Sequence, residues 1–396
     1  MAPSQSSEID FSNTEIAFSH LSNAQLRQAY YLFKIIGQPL IVKMGPVCTD
    51  FALTFRLPVK TLIKKTIFSH FCGGETIRDC KSRIDSLARY HVGTILDFAR
   101  EGGGTEEDFD LVAAEIKRTI DMAAESSHIP FAVFKPTGIA SLELLSKVER
   151  KADLSVRERK AWARVEERFQ DITQHAARKQ VRVMVDAEES WIQDTVDGLV
   201  YNAMKQHNKE KAIVYNTVQL YRHDRNDYLK ALLDLAEQQD FHVGVKLVRG
   251  AYLEKELRVA AAEGRPSPLN PSKAATDAAY DRALQQCIER IDRCSIVAGT
   301  HNEASTKLLT QLMQAAGIKP QDERVFFAQL LGMSDNLSYN LAAAGFSVAK
   351  YVPYGTINEL LPYLTRRAQE NSSVAGQSSR ELMLLESELK RRASTR

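Results

Sequence analysis

HVGVKLVRGAY, residues 242–252, begins as a β-rich apolar run and ends in a cluster of charge, glycine and aromatic: Lys246, Arg249, Gly250 and Tyr252. Seven other stretches follow the same grammar: VGTILDFA (92–99), FAVFKPTG (131–138), VRVMVDAE (181–188), AIVYNTVQLY (212–221), CSIVAGTHN (294–302), VFFAQLLG (325–332) and VAKYVPYG (348–355). Longer charged helical stretches separate them, the pattern of a parallel sheet with crossover helices. Eight such alternations predict an α/β chain whose strands close into a (β/α)8 barrel over residues 89–373. In that architecture the lower strands fill a core and the C-terminal strand ends carry chemistry, so the polar endings are the candidate site. A doubly wound open sheet is the alternative, but no GxGxxG follows the first strand.

Outside the barrel, residues 1–88 read as a helical arm with a turn signal at CGGET (72–76), and 374–396 as a helical tail. A charged helical insertion occupies about 139–180; its Asp153-Leu-Ser lacks the glycine and alternating ligands of a calcium loop and reads as a helix N-cap region. The 396 residues are 44% hydrophobic and 26% charged with a net charge of +2, so no global field argues for nucleic acid. Five scattered cysteines without CxxC spacing read as reduced thiols. The nine histidines are dispersed, which argues against a metal site. No run approaches the ~18 apolar residues that span a bilayer, and the polar N-terminus is no signal peptide. Residues 21–70 carry seven Lys and Arg against one Asp among apolar stretches; this basic amphipathic segment suits an anionic membrane surface or simply packs with its lysines outward.

Near the C-terminus, YLTRRAQEN places Tyr363, Arg366, Arg367 and Glu370 at i, i+3, i+4 and i+7, on one helix face. Adjacent guanidiniums repel, so such a face either brackets a carboxylate or is a solvated basic patch. At the strand ends the inventory is again cationic: Lys135, Lys246 and Arg249 beside Asp186, with Tyr252 and Tyr351. Such a site favours an anionic ligand. His301, in GTHNE, ends a strand but has no GxSxG to accompany it.

The runs FKPTG, MVDAEES, NTVQLYR, VKLVRGAYLEKE, GTHNE, FFAQLLGM, KYVPYG and YLTRRAQENSS, spread over residues 92 to 373, resemble the proline dehydrogenase family. The resemblance implies a distorted (β/α)8 TIM barrel, noncovalent FAD, and oxidation of L-proline to Δ1-pyrroline-5-carboxylate by hydride transfer from C5 to the flavin N5. By residue, it implies that Arg366 and Arg367 grip the proline carboxylate, that Lys135 and Asp186 lie below the substrate, that Tyr252 and Tyr351 wall its ring with Leu331 near the apolar contact, and that Tyr363 belongs to the catalytic set. Glu101 and Glu370 match gate residues. Gln219, Lys246, Val248, Arg249, Gly250, Ala251, Thr300, His301 and Asn302 match flavin contacts.

Two features are particular to this chain. Many bacterial members of the family read Arg-Leu-Val-Lys at the fifth strand, whereas here Lys246-Leu-Val-Arg249 exchanges the cations. Residues three apart face opposite sides of a strand, so which of the two touches the flavin N5 edge is open, and position favours Lys246. Tyr351 stands where the resembling hydroxyproline oxidases carry serine, which favours the unsubstituted ring. The resemblance further implies a membrane quinone as electron acceptor, with a peripheral contact on the cytoplasmic face of a bacterial inner membrane or the matrix side of a mitochondrial one. A folate-reductase type of flavin barrel, which would use a nicotinamide, and a membrane-associated helical scaffold are the competing classes.

Overall fold

In a computed structural model the chain is described for residues 9–38, 64–100, 103–373 and 377–394, with the side chains of Lys65, 368–373 and 377–379 outside that description. Eight parallel strands close into a barrel in sequence order: β1 (Val92–Phe98), β2 (Phe131–Phe134), β3 (Arg182–Val185), β4 (Val214–Gln219), β5 (Val243–Val248), β6 (Cys294–Gly299), β7 (Val325–Leu330) and β8 (Val348–Tyr354). The eight runs read from the sequence are therefore the eight strands. Most stop two to four residues short of the run's end, so Lys135, Asp186 and Arg249 lie in the turns that follow while Asp97, Gln219 and Lys246 stay on their strands; after β2, Pro136 starts a 3-10 turn (Pro136–Gly138) instead of extending the strand.

By internal contacts the chain divides into two compact units, residues 94–328 and residues 1–93 with 329–396. Within the first, Phe131 of β2 meets Tyr215 of β4 edge-on at 5.3 Å and Phe326 of β7 at 5.0 Å. These strands are not neighbours, so the rings meet through the barrel interior and plug its N-terminal end. Arg182 lies 5.5 Å over Phe131 and 5.4 Å over Phe326, and pairs with Glu323 at 2.7 Å. Gly244 is opposite Tyr215 in register, and a Cβ there would come within 2.7 Å of the tyrosine ring. Because strand side chains alternate, the interior parity set by Phe131, Arg182 and Gly244 carries Lys135, Asp186 and Lys246 inward at the other end.

The insertion forms helices Leu142–Glu149 and Val156–Lys179. Ser155 closes a capping box with Glu158, which is the N-cap expected near Asp153. Buried Arg168 fastens the longer helix to Glu106–Glu125 through Asp110 (2.6 Å) and Glu106 (2.5 Å).

In the other unit, tail helix Gln377–Ser394 packs on Asn23–Ile36, and Arg392 donates to the carbonyls of Leu21 and Phe18, both at 2.8 Å. CGGET pairs with the end of β8: Gly73 N–H donates to Pro353 O (2.9 Å) and Gly355 N–H to Gly74 O (3.1 Å). Residues 39–63, which hold most of the basic segment and Cys48, lie outside the described residues, as does Glu101. The four cysteines described are free and buried. Among the described residues no helix is long and apolar enough to cross a membrane, and no cluster of His, Cys, Asp and Glu could hold a metal.

Candidate active site

The strand ends of unit 94–328 carry a line of alternating charges. Lys135, after β2, donates to both oxygens of Asp97 on β1 (2.8 and 3.0 Å) and lies 3.4 Å from Asp186, after β3. Asp186 is held in turn by a short hydrogen bond from Lys246 of β5. All four are nearly buried. Burial alone would push Asp186 up, but the Lys246 and Lys135 ammonium groups outweigh it and hold the carboxyl below the usual range. Small Thr217 of β4, in register with Lys246, lets the lysine reach past it to β3.

Lys246 and Arg249 part as three-residue spacing requires. Lys246 points inward, whereas Arg249 donates to Asp277 (2.6 Å), Thr300 Oγ1 (2.8 Å) and Ser305 Oγ (3.0 Å) and lies 4.5 Å over the Tyr280 ring. Each guanidinium nitrogen thus has an acceptor, and Arg249 ties β5 to the helices Lys273–Glu289 and Glu303–Ala315. A site of unneutralised cations does not form here: Lys135 and Lys246 are matched by Asp97 and Asp186, and Arg249 by Asp277.

A second layer fixes the turns. Glu188 is buried and accepts from Thr137 N–H (2.9 Å) and Oγ1–H (2.6 Å); burial pushes its carboxyl up to about 7. Its backbone carbonyl accepts from Gln219 Nε2 (2.6 Å), and Gln219 Oε1 accepts from Ala251 N–H at 3.4 Å. Fully buried Glu256 accepts from Ser190 N–H and Oγ–H, both at 2.6 Å. Gly250 has φ +140°, and a Cβ there would meet the Tyr221 ring at 2.5 Å, so only glycine lets the chain pass. Asn302 caps the helix after β6 through Ser305 N–H (3.0 Å), and its own N–H donates to Thr300 Oγ1 (3.1 Å). Val248, Tyr252 and His301 are partly exposed beside them.

In the other unit, Leu331 and Tyr351 are buried and joined by Leu331 N–H donating to Tyr351 O at 2.9 Å. Helix Ile357–Ser373 carries the arginines: Arg367 is buried with its guanidinium 5.1 Å over Tyr363, and Arg366 is partly exposed. The Glu370 side chain lies outside the described residues. Asp97, Asp277 and Glu256 were not among the sequence-derived site residues; their partners come from distant strands and helices.

A (β/α)8 barrel with ionisable side chains at its strand ends is the class that fold and site define. The chain matches the proline dehydrogenase family over residues 80–380 and belongs to it. It is 35% identical over 350 residues to the carbapenem antibiotics biosynthesis protein CarD of Pectobacterium carotovorum, covering 86% of this chain and 91% of that protein. Human mitochondrial proline dehydrogenase 1 is 38% identical over 255 residues, 64% of this chain and 42% of the human protein. The fold superposes on proline utilization A from Bdellovibrio bacteriovorus, inactivated by N-propargylglycine, with a TM-score of 0.72 at 18% identity, over 92% of this chain and 38% of that one.

Proposed function

We propose that this protein oxidises L-proline to Δ1-pyrroline-5-carboxylate with FAD as cofactor. The observation that carries the proposal is the family match over residues 80–380, which spans every residue named for substrate and flavin. The strand ends suit a large planar cofactor. Gly250 keeps the backbone free of a Cβ, the Gln219–Ala251 contact fixes that turn, and the capped helix start at Asn302 offers backbone N–H groups. Lys246, Val248, Gly250, Ala251, Gln219, Thr300, His301 and Asn302 would hold the flavin, and Arg249 would act one step back by fixing Thr300 and Ser305. When bound, FAD supplies a two-electron acceptor for the C5–H bond of proline.

The chain's own residues bind and orient. Lys135 and Lys246 are neutralised by Asp97 and Asp186, so binding of the carboxylate falls to Arg366 and Arg367, whose charge-assisted hydrogen bonds contribute ~1.5–3 kcal/mol each. Loss of the C5 hydrogen with its electron pair leaves an imine, so the ring nitrogen must react as the free amine and its second proton leaves to solvent. Fixing the ring against Tyr252, Tyr351, Tyr363 and Leu331 supplies the orientation on which the rate depends. Tyr351 fills the space a ring hydroxyl would need. Glu101 and Glu370 would gate the site.

Turnover requires reoxidation, and a membrane quinone, reached through a peripheral contact by the basic segment within 21–70, completes the reading. Binding to anionic vesicles at low salt that disappears when that segment is deleted is the expected result; equal binding without it removes the contact. The primary test is a visible flavin spectrum in purified protein that bleaches on addition of proline. Colourless protein that takes up no FAD, or flavin that stays oxidised with proline and bleaches with a reduced nicotinamide, would overturn the proposal.

A further inference from the structure

Within unit 94–328, three consecutive residues of the loop after β3 are linked to the turn and helix that follow β5. Gln219 of β4 joins Glu188 O to Ala251 N–H, Lys255 makes a short ion pair with Glu189, and Glu256 accepts both donors of Ser190. These links are unequal. The Gln219–Ala251 contact is long at 3.4 Å, and the Lys255 side chain is 39% exposed, so solvent screens its pair with Glu189. Glu256 is fully buried, and each of its oxygens lies 2.6 Å from a Ser190 donor.

Ser190 needs that acceptor. It opens the 3-10 turn Ser190–Ile192, whose first N–H groups have no acceptor inside the turn, and Glu189 at the N-cap makes no side-chain cap bond. The cap comes instead from Glu256, 66 residues away in sequence. Glu256 in turn stands one helical turn after Tyr252, the N-cap of helix Leu253–Ala262, and donates its own N–H to Tyr252 O at 2.9 Å. Lys246 and Lys135 hold Asp186, and Thr137 holds Glu188, so the loop after β3 is anchored independently of this contact. The loop is therefore the fixed end, and the start of the helix is what Glu256 places.

We infer that Glu256 is a positioning residue, which locks the start of its helix to Ser190 and so sets Tyr252 against the proline ring. The inference rests on the reading above that Tyr252 walls that ring. Glu256 acts only through Tyr252. Glutamine at this position keeps both contacts, because its oxygen accepts from Ser190 N–H while its amide donates to Oγ, a hydroxyl that can accept as well as donate. Alanine strands the buried Ser190 N–H, and Ser190→Ala removes the hydroxyl contact alone.

The test measures kcat/KM for proline, per bound flavin, in holoenzyme carrying Glu256→Ala, Glu256→Gln or Ser190→Ala, each with Tyr252 present and with Tyr252→Ala. With Tyr252 present, E256A should lower kcat/KM about 10-fold and S190A about threefold at wild-type flavin content, while E256Q stays within about twofold of wild type. Without the tyrosine ring all three should cost less than about twofold, because the group they place is gone. If E256A does not fold, S190A decides by the same comparison. Unchanged kcat/KM, an equal loss in E256A and E256Q, a loss of flavin in place of kcat/KM, or a loss undiminished by Tyr252→Ala would overturn the positioning role. Wild-type protein that does not oxidise proline overturns the functional reading and the inference with it, whereas a wild type that turns over proline beside unaltered variants overturns the inference alone.

Discussion

Replacing Glu188 by glutamine should remove a pH-dependent destabilisation built into the loop after β3. Glu188 is 4% exposed, accepts two hydrogen bonds from Thr137, and has its carboxyl raised from the usual 4.5 to about 7 by burial, with Glu189 adding in the same direction. In the unfolded chain the same carboxyl ionises near 4.5. Below that pH both states are protonated and the group contributes no difference. Between 4.5 and about 7 the folded state keeps a proton that the unfolded state has lost, so unfolding becomes progressively easier; above about 7 the loss is complete. At 1.36 kcal/mol per unit the whole loss is about 3 kcal/mol. Glutamine retains an acceptor for Thr137 N–H and does not titrate. Guanidinium unfolding of wild type and Glu188→Gln from pH 4.5 to 8.5 isolates the term, since the difference between the two cancels the other titrating groups. The variant should gain about 3 kcal/mol on wild type across that window. Parallel stability curves would show that Glu188 is ionised in the native protein and that the desolvation argument is wrong.

Arg367→Met should raise KM for proline by at least ~10²-fold while flavin stays bound, because a paired charge-assisted hydrogen bond is lost; unchanged steady-state kinetics would remove the clamp. Tyr351→Ser should increase the kcat/KM ratio of hydroxyproline to proline, and an unaltered ratio would take the phenol away from the ring. Gly250→Ala combines a forbidden φ with a 2.5 Å clash against buried Tyr221, and should cost about 2–5 kcal/mol of stability and lower the flavin content of purified protein. A melting temperature equal to wild type would contradict the geometry.

The strands were legible because each is a short apolar run whose polar ending interrupts it, and that pattern needs no knowledge of partners. The division of labour between Lys246 and Arg249 was also legible, since strand alternation alone sends them to opposite faces, and Arg249 does reach Asp277, Thr300 and Ser305 on the outer side. What the sequence could not display is pairing. Lys135, Lys246 and Arg249 in a row of strand ends look like an uncompensated cationic surface, yet Asp97, Asp186 and Asp277 neutralise them across distances of 38, 60 and 28 residues. Lys350 was hidden for the same reason: a lysine beside Tyr351 of β8 has the look of a solvent-facing residue, and only the closed fold shows it fully buried against the turn that follows β7. An amino-acid pattern therefore reports which face a side chain takes, while the sign of the local field depends on which acids the topology brings to that face. On the function proposed above, that dependence leaves carboxylate recognition to the final helix, because Lys135, Lys246 and Arg249 are already matched by Asp97, Asp186 and Asp277.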